Sequence, residues 1–217
     1  MESSALLYYG ALLPSILAAI TCHEYAHARV ALLLGDPTAQ EQGRVSLNPL
    51  SHLDPLGTLG FLLIGFGWGK PVPVNRARLR HPRSDFFVSA AGPSTNLLLA
   101  FLAAQLFKIP VLWDRLTIAG LASNAQALGL VFIHINLVLG LFNLLPIHPL
   151  DGAHVVQNLL PPQSGMQFER INRSYGPILL MLLFASGYFL PVSPISAVLR
   201  PAVQFLMDRF LGAPPVA

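Results

Sequence analysis

The chain has 217 residues, 53% of them hydrophobic and only 11% charged. Soluble domains average about 25% charged residues, so the deficit argues against an ordinary soluble protein and for a membrane-embedded one. The formal net charge of +3 is small and dispersed, which argues against a nucleic-acid partner, and the single cysteine, Cys22, excludes an intrachain disulfide.

A spanning helix needs about 20 largely apolar residues. Residues 5–34 meet this, starting after Glu2-Ser3-Ser4 and stopping at Gly35-Asp36-Pro37, with Pro14 placed to bend the helix. The run has no basic flank and continues into polar residues, so it does not read as a cleaved signal peptide. Residues 38–50, TAQEQGRVSLNPL, are polar with brief alternation and suggest a short strand or hairpin. Residues 57–69, GTLGFLLIGFGWG, are apolar, short and glycine-rich, and suggest a re-entrant or half-spanning element. Further spans are expected at 86–107, at 124–145 (ended by Pro146 and Pro149) and at 174–190 (ended by Pro191). The final run, SAVLRPAVQFLMDRFLG, is broken by Arg200-Pro201 and carries Asp208 and Arg209, which suits an interfacial helix better than a span. The expected fold is an all-α polytopic membrane protein of about four spanning helices, forming a single domain over 1–217.

Charge sets the expected topology. Lys70, Arg76, Arg78, Arg80 and Arg83 cluster before the second span against a lone Asp85, whereas 108–123 holds only Lys108, Arg115 and Asp114. Positive charge favours the cytoplasmic side, so the first span runs inward. Its polar residues then lie past its midpoint, and Pro146 to Arg173 falls on the same side.

Those polar residues are HEYAH, an H-E-x-x-H pattern at 23–27. Ionisable groups inside a membrane need a partner or a function. Positions i and i+4 share a helix face, so His23 and His27 can reach one metal ion. Glu24 stands roughly 100° further round the axis, where it can act as general base on metal-bound water. A catalytic zinc site typically has three protein ligands plus water. Asp151, in FNLLPIHPLDGAHVV, follows a proline break at matching depth and supplies the third. On local sequence alone it would instead be a helix N-cap; the pairing with the first span favours the ligand.

HEYAH, NPLSHLDPLG, GWGKPVPVN, AAGPSTN and FNLLPIHPLDG occur in the order seen in the site-2 protease family, and the chain resembles the small, compact prokaryotic type of these intramembrane zinc metalloproteases. The matching motifs run from residue 23 to 152. The resemblance implies Zn(2+) held by His23, His27 and Asp151, with Glu24 as catalytic acid/base in a core of about 5–160. It also implies a transmembrane substrate, locally unwound and cut within the bilayer. Asn96, in GPSTN, is expected to donate to the oxyanion, the alternative being an interhelical hydrogen bond. Asn136 and His134 read as helix–helix contacts, and Asn143 is the member of that span expected to touch substrate or ligand. His52 can approach the zinc from a loop or only stabilise a turn. His148 stands where the family usually has proline, and reads as a competing ligand, a group behind Asp151, or an interfacial histidine; His154 reads as structural. TAQEQGRVSL can offer a strand edge to an unwound substrate. Two other readings are a noncatalytic membrane protein of the same fold that binds a partner helix, and a metal transporter. The intact Glu24 opposes the first, and the lack of a second ligand cluster at another depth opposes the second. A regulatory partner or homo-oligomer is compatible with all three.

Overall fold

The computed structural model describes residues 2–57, 60, 69–81, 83–109, 112 and 122–212. Among these the chain is helical: α1 (Glu2–Leu33), α2 (Thr38–Glu41), α3 (Ser84–Leu106), α4 (Ala122–Asn143), α5 (Asp151–Leu159), α6 (Pro162–Ser186) and α7 (Pro194–Leu211). Single 3₁₀ turns lie at Pro49–Ser51 and Arg76–Arg78.

The long helices follow the apolar runs closely. α1 stops where Gly35 adopts φ +106, with the Gly35 and Asp36 N–H groups bonded back to Leu32 and Ala31 carbonyls. This is the left-handed glycine stop that releases a helix without a Cβ penalty. α1, α3 and α4 pack against one another as a three-helix core. Small residues line their contacts: Ala19, Ala28 and Ala31 of α1 and Ala100 and Ala104 of α3 are fully buried. A Cβ on Gly140 would come within 3.1 Å of the Pro93 carbonyl. Close backbone approach through small residues is how helices associate where lipid supplies no hydrophobic drive.

Ser84–Leu106 and Asn124–Asn143 are long and apolar enough to cross a membrane, yet only 33% and 22% of their apolar windows are buried. The core helix of a soluble protein would be mostly buried. Leu98, Phe101 and Leu102 of α3, Leu128 and Leu130 of α4, and Ile178, Leu179, Met181 and Leu182 of α6 are exposed. That much outward apolar surface suits a lipid solvent.

One expectation is overturned, and two elements gain firmer bounds and packing partners. Residues 38–50 form no strand: Asp36 accepts from the Thr38 N–H and hydroxyl and starts the short helix α2 instead. Among the described residues there is only an isolated Leu53–Gly69 bridge, so the proposed strand edge for substrate is absent there. The span expected at 174–190 is the second half of α6, which begins at Pro162. The C-terminal helix packs on α4 and α3, with Val203 buried in the cluster of Ala100, Ala104, Ile133 and Leu137. Its Phe210 meets Phe101 edge to face, so it flanks the bundle core. The re-entrant element expected at 57–69 lies almost wholly outside the described residues.

Candidate metal centre and active site

One i, i+4 face of α1 carries His23 and His27, both buried. α3 packs on that face, and it approaches closely because residue 92 is glycine: a Cβ there would sit 2.3 Å from His27 Nε2 and 2.6 Å from His23 Nε2. Val88, on the same helix one turn before Gly92, turns its carbonyl to the first of these rings. The Val88 carbonyl accepts from His27 Nδ1 at 2.7 Å. A carbonyl only accepts, so Nδ1 bears a hydrogen, and in the neutral ring Nε2 presents a lone pair.

Asn96 does the same for His23. Its Nδ2 donates to the Ala19 carbonyl at 3.1 Å and to Asn136 Oδ1 at 2.9 Å. That fixes the amide orientation and turns Oδ1 towards His23 Nδ1, 2.6 Å away. His23 Nδ1 therefore donates and its Nε2 is also bare. Both donor hydrogens of Asn96 are engaged, so it has none left for an oxyanion, and the expected catalytic role is corrected to orientation of the His23 ring.

The third group comes from α5. Leu150, extended at φ −72 and ψ 154, precedes the helix and makes no side-chain cap. Asp151 begins it, and its carboxylate points away from the helix end. Gly152 lets this corner close, since a Cβ would lie 2.2 Å from the Leu144 carbonyl oxygen. Asp151 Oδ2 lies 3.1 Å from His23 Nε2 and 3.2 Å from His27 Nε2, and the two Nε2 atoms are 3.0 Å apart. With both rings neutral, three acceptor atoms converge, a set that a cation at its centre would hold together. Tetrahedral zinc with bonds of about 2.0–2.1 Å sets its ligand atoms about 3.3 Å apart, so the donor set fits zinc in chemistry and in size. This is the one group of three potential ligands among the described residues.

A polar cavity of about 340 Å³ opens on this group and reaches Glu24, Ser89 and Asn143. One face is the segment 69–80, which runs over the end of α1. Its Val72 N–H donates to Glu24 Oε2 at 3.0 Å. The segment is held by Asn75 N–H to Asp36 Oδ2 at 2.6 Å, Arg80 N–H to the Leu34 carbonyl at 2.9 Å and Lys70 N–H to the His52 carbonyl at 2.8 Å. Residues 69–80 thus work as a strap that orients the carboxylate of HEYAH.

The structure brings Glu24, His23, His27, Asp151 and Asn143 to one cavity. It does not bring His52 or His148. His52 is fully buried, with Nε2 donating to the Ser46 carbonyl at 2.7 Å, and it stabilises the loop. His148 packs edge-on against His154 with ring centroids 5.8 Å apart, outside the metal group, so ligation by His148 is also corrected. Asn136 bonds to Asn96 across helices, as its position in the third span suggests. Arg76 and His154 line the cavity as well. His154, read as structural from the sequence, is i+3 from Asp151, a spacing that offered a signal for its place beside the site, whereas nothing local marked Arg76.

A model of Peptidase family M50 matches residues 11–185. The chain belongs to peptidase family M50. It is 41% identical over 212 residues to "Putative zinc metalloprotease YwhC" of Bacillus subtilis, covering 94% of this chain and 93% of that protein. It is 30% identical over 154 residues to "Putative zinc metalloprotease Rip2" of Mycolicibacterium smegmatis, covering 68% of this chain and 56% of the relative. "Putative zinc metalloprotease Rip3" of Mycobacterium tuberculosis is 29% identical over 152 residues, 69% of this chain and 31% of its own length. No solved structure matches. Family membership and the zinc metalloprotease names agree with a His-His-Asp group that fits zinc.

Proposed function

We propose that this M50 protein is an intramembrane zinc endopeptidase that hydrolyses a peptide bond in or near a transmembrane segment of a membrane-protein substrate. The observation that carries the reading is the meeting of three bare ligand atoms, 3.0–3.2 Å apart, beside a carboxylate that takes no part in the group. Zinc bound there supplies a Lewis acid that polarises the scissile carbonyl and lowers the pKa of a bound water. Glu24 accepts the proton of the attacking water and delivers it to the leaving amine nitrogen. The Val72 N–H engages Oε2 and leaves Oε1 for that transfer. His23 and His27 hold their hydrogens on Nδ1, through Asn96 and Val88, which keeps both Nε2 atoms available.

We assign the oxyanion donor to Asn143 rather than to Asn96. Asn143 lines the cavity, and its Nδ2 makes one hydrogen bond among the described residues, to the Leu139 carbonyl at 3.0 Å, leaving a second hydrogen. A substrate helix shields its own peptide bonds, so it unwinds to reach the cavity. The basic strap favours a cavity that opens towards the cytoplasm, in a multi-pass protein of the cell membrane.

The test is parallel measurement of metal and cleavage. Purified wild type and E24Q are assayed for zinc and for cutting of a panel of single-span test proteins in liposomes. About one zinc per chain in both, with cleavage only in wild type, is expected. Zinc-loaded wild type that cuts no more than E24Q would overturn the protease reading.

A further inference from the structure

A second polar cavity, of about 280 Å³ and open on one side, is lined by Val74, Arg76, His148, His154, Glu169 and Arg173. It shares Val74, Arg76 and His154 with the catalytic cavity, so the two are contiguous. We propose that this second cavity is a substrate subsite that receives an acidic side chain close to the scissile bond. The proposal rests on the protease reading and names the substrate class of that site.

The cavity carries more donors than acceptors. Arg76 is paired with Asp85 at 2.9 Å and with Glu169 at 3.6 Å, and Glu169 also accepts from Gln157 Nε2 at 2.7 Å. The one acid that lines the cavity is therefore already engaged. Arg173 has no acidic partner within 4.0 Å among the described residues. His154 Nδ1 accepts from the Arg76 guanidinium at 2.7 Å. A guanidinium only donates, so His154 carries its hydrogen on Nε2. His148 is held in place by its backbone N–H to Asn172 Oδ1 at 2.8 Å. Gly176 lets α6 approach, since a Cβ there would lie 2.7 Å from the His148 carbonyl oxygen. Burial pushes the His148 imidazole down from its ordinary pKa, and His154, Arg173 and Arg76 push the same way against Glu169. Arg173 and the Nε2–H of His154 are thus the unengaged donors of this cavity among the described residues, and they suit a carboxylate.

Contiguity says whose carboxylate. His154 lies one turn past Asp151, a rise of about 4.5 Å along α5. An extended peptide advances about 3.3 Å per residue. A substrate with its carbonyl at the metal group therefore reaches the second cavity within about one to two residues of the cut.

The experiment uses synthetic peptides with one apolar segment, scanned with Glu, Gln or Lys at four positions on either side of the cut. kcat/KM is measured for wild type, R173Q and R173E, and binding is measured in parallel by fluorescence anisotropy on zinc-loaded E24Q, with and without R173E. The expected result is a Glu over Gln preference of about three- to fivefold at one position, the range of a partly exposed ion pair. R173Q should abolish it, and R173E should turn it into a preference for Lys at the same position, with zinc content reporting the fold. Cleavage without any Glu preference would overturn the subsite and leave the protease reading standing. Absent cleavage with Glu-selective binding, lost on adding R173E, would overturn the protease reading and keep the subsite. Equal preference in wild type and in both zinc-loaded Arg173 variants would also overturn the subsite.

Discussion

Glu24 and Asn96 both stand next to His23, one in the cavity and one behind the ring. Their substitution should separate catalysis from metal affinity. E24Q keeps the hydrogen bond from Val72 N–H but removes the base. Zinc binding should persist while cleavage falls by about 10²- to 10⁴-fold, as read by metal analysis and single-turnover assay. N96A removes the acceptor that holds the His23 tautomer, and zinc affinity should fall by about 10- to 100-fold in competition with a chelating dye. Gly92 is the sharper steric case. G92A would drive a methyl group into both imidazoles, and zinc uptake should be lost. G10A, whose Cβ meets nothing within 4 Å, is the matched control and should bind zinc as wild type does.

The strap over the end of α1 behaves as one element, and Asp36 is its anchor. This carboxylate is fully buried and bonds to the N–H and hydroxyl of Thr38 and to the N–H of Asn75. D36N should loosen residues 69–80, cost about 1–3 kcal/mol, and lower cleavage with zinc retained, because Val72 would no longer hold Glu24. Faster amide exchange confined to 69–80 would locate the effect. Burial alone would raise the Asp36 pKa, but the Thr38 and Asn75 hydrogen bonds and the Arg78 charge outweigh it and bring it below the usual carboxylate range. A depressed folded pKa means that the stabilisation is complete above the unfolded value of about 3.9. It is lost as pH falls through the folded value. The melting-temperature gap between wild type and D36N should therefore be widest near neutral pH and close under acid.

For the whole molecule the question is which end faces the cytoplasm. The metal group, the basic strap and the polar start of α6 share one end, through Arg76 to Asp85, Glu169 and His154. Cysteines introduced as R78C and H148C in a Cys22→Ser background should react with an impermeant thiol reagent only after the inner face is opened. L112C should react from outside. The reverse pattern would invert the topology. α1, with 32 residues, is about 48 Å long at 1.5 Å per residue, against a hydrocarbon core of about 30 Å. It is therefore longer than a single crossing of such a core needs.

Sequence by itself determined the parts that depend on local period and composition. The apolar runs of α1, α3 and α4 were legible because a membrane helix must satisfy its own backbone. The pairing of His23 with His27 and the offset of Glu24 follow from 3.6 residues per turn, and Asp151 was legible as a ligand candidate by depth. Only the tertiary structure decided which groups stand behind them. Asn96 and Asn143 are the same residue type on neighbouring helices, yet one has its amide hydrogens spent on Ala19 and Asn136 and the other faces the cavity. No local pattern distinguishes them, because the difference lies in partners 40 or more positions away in the chain. The same holds for the strap and for Arg76. Their roles come from long-range hydrogen bonds and ion pairs across α1, α5 and α6, and those contacts exist only once the helices have packed.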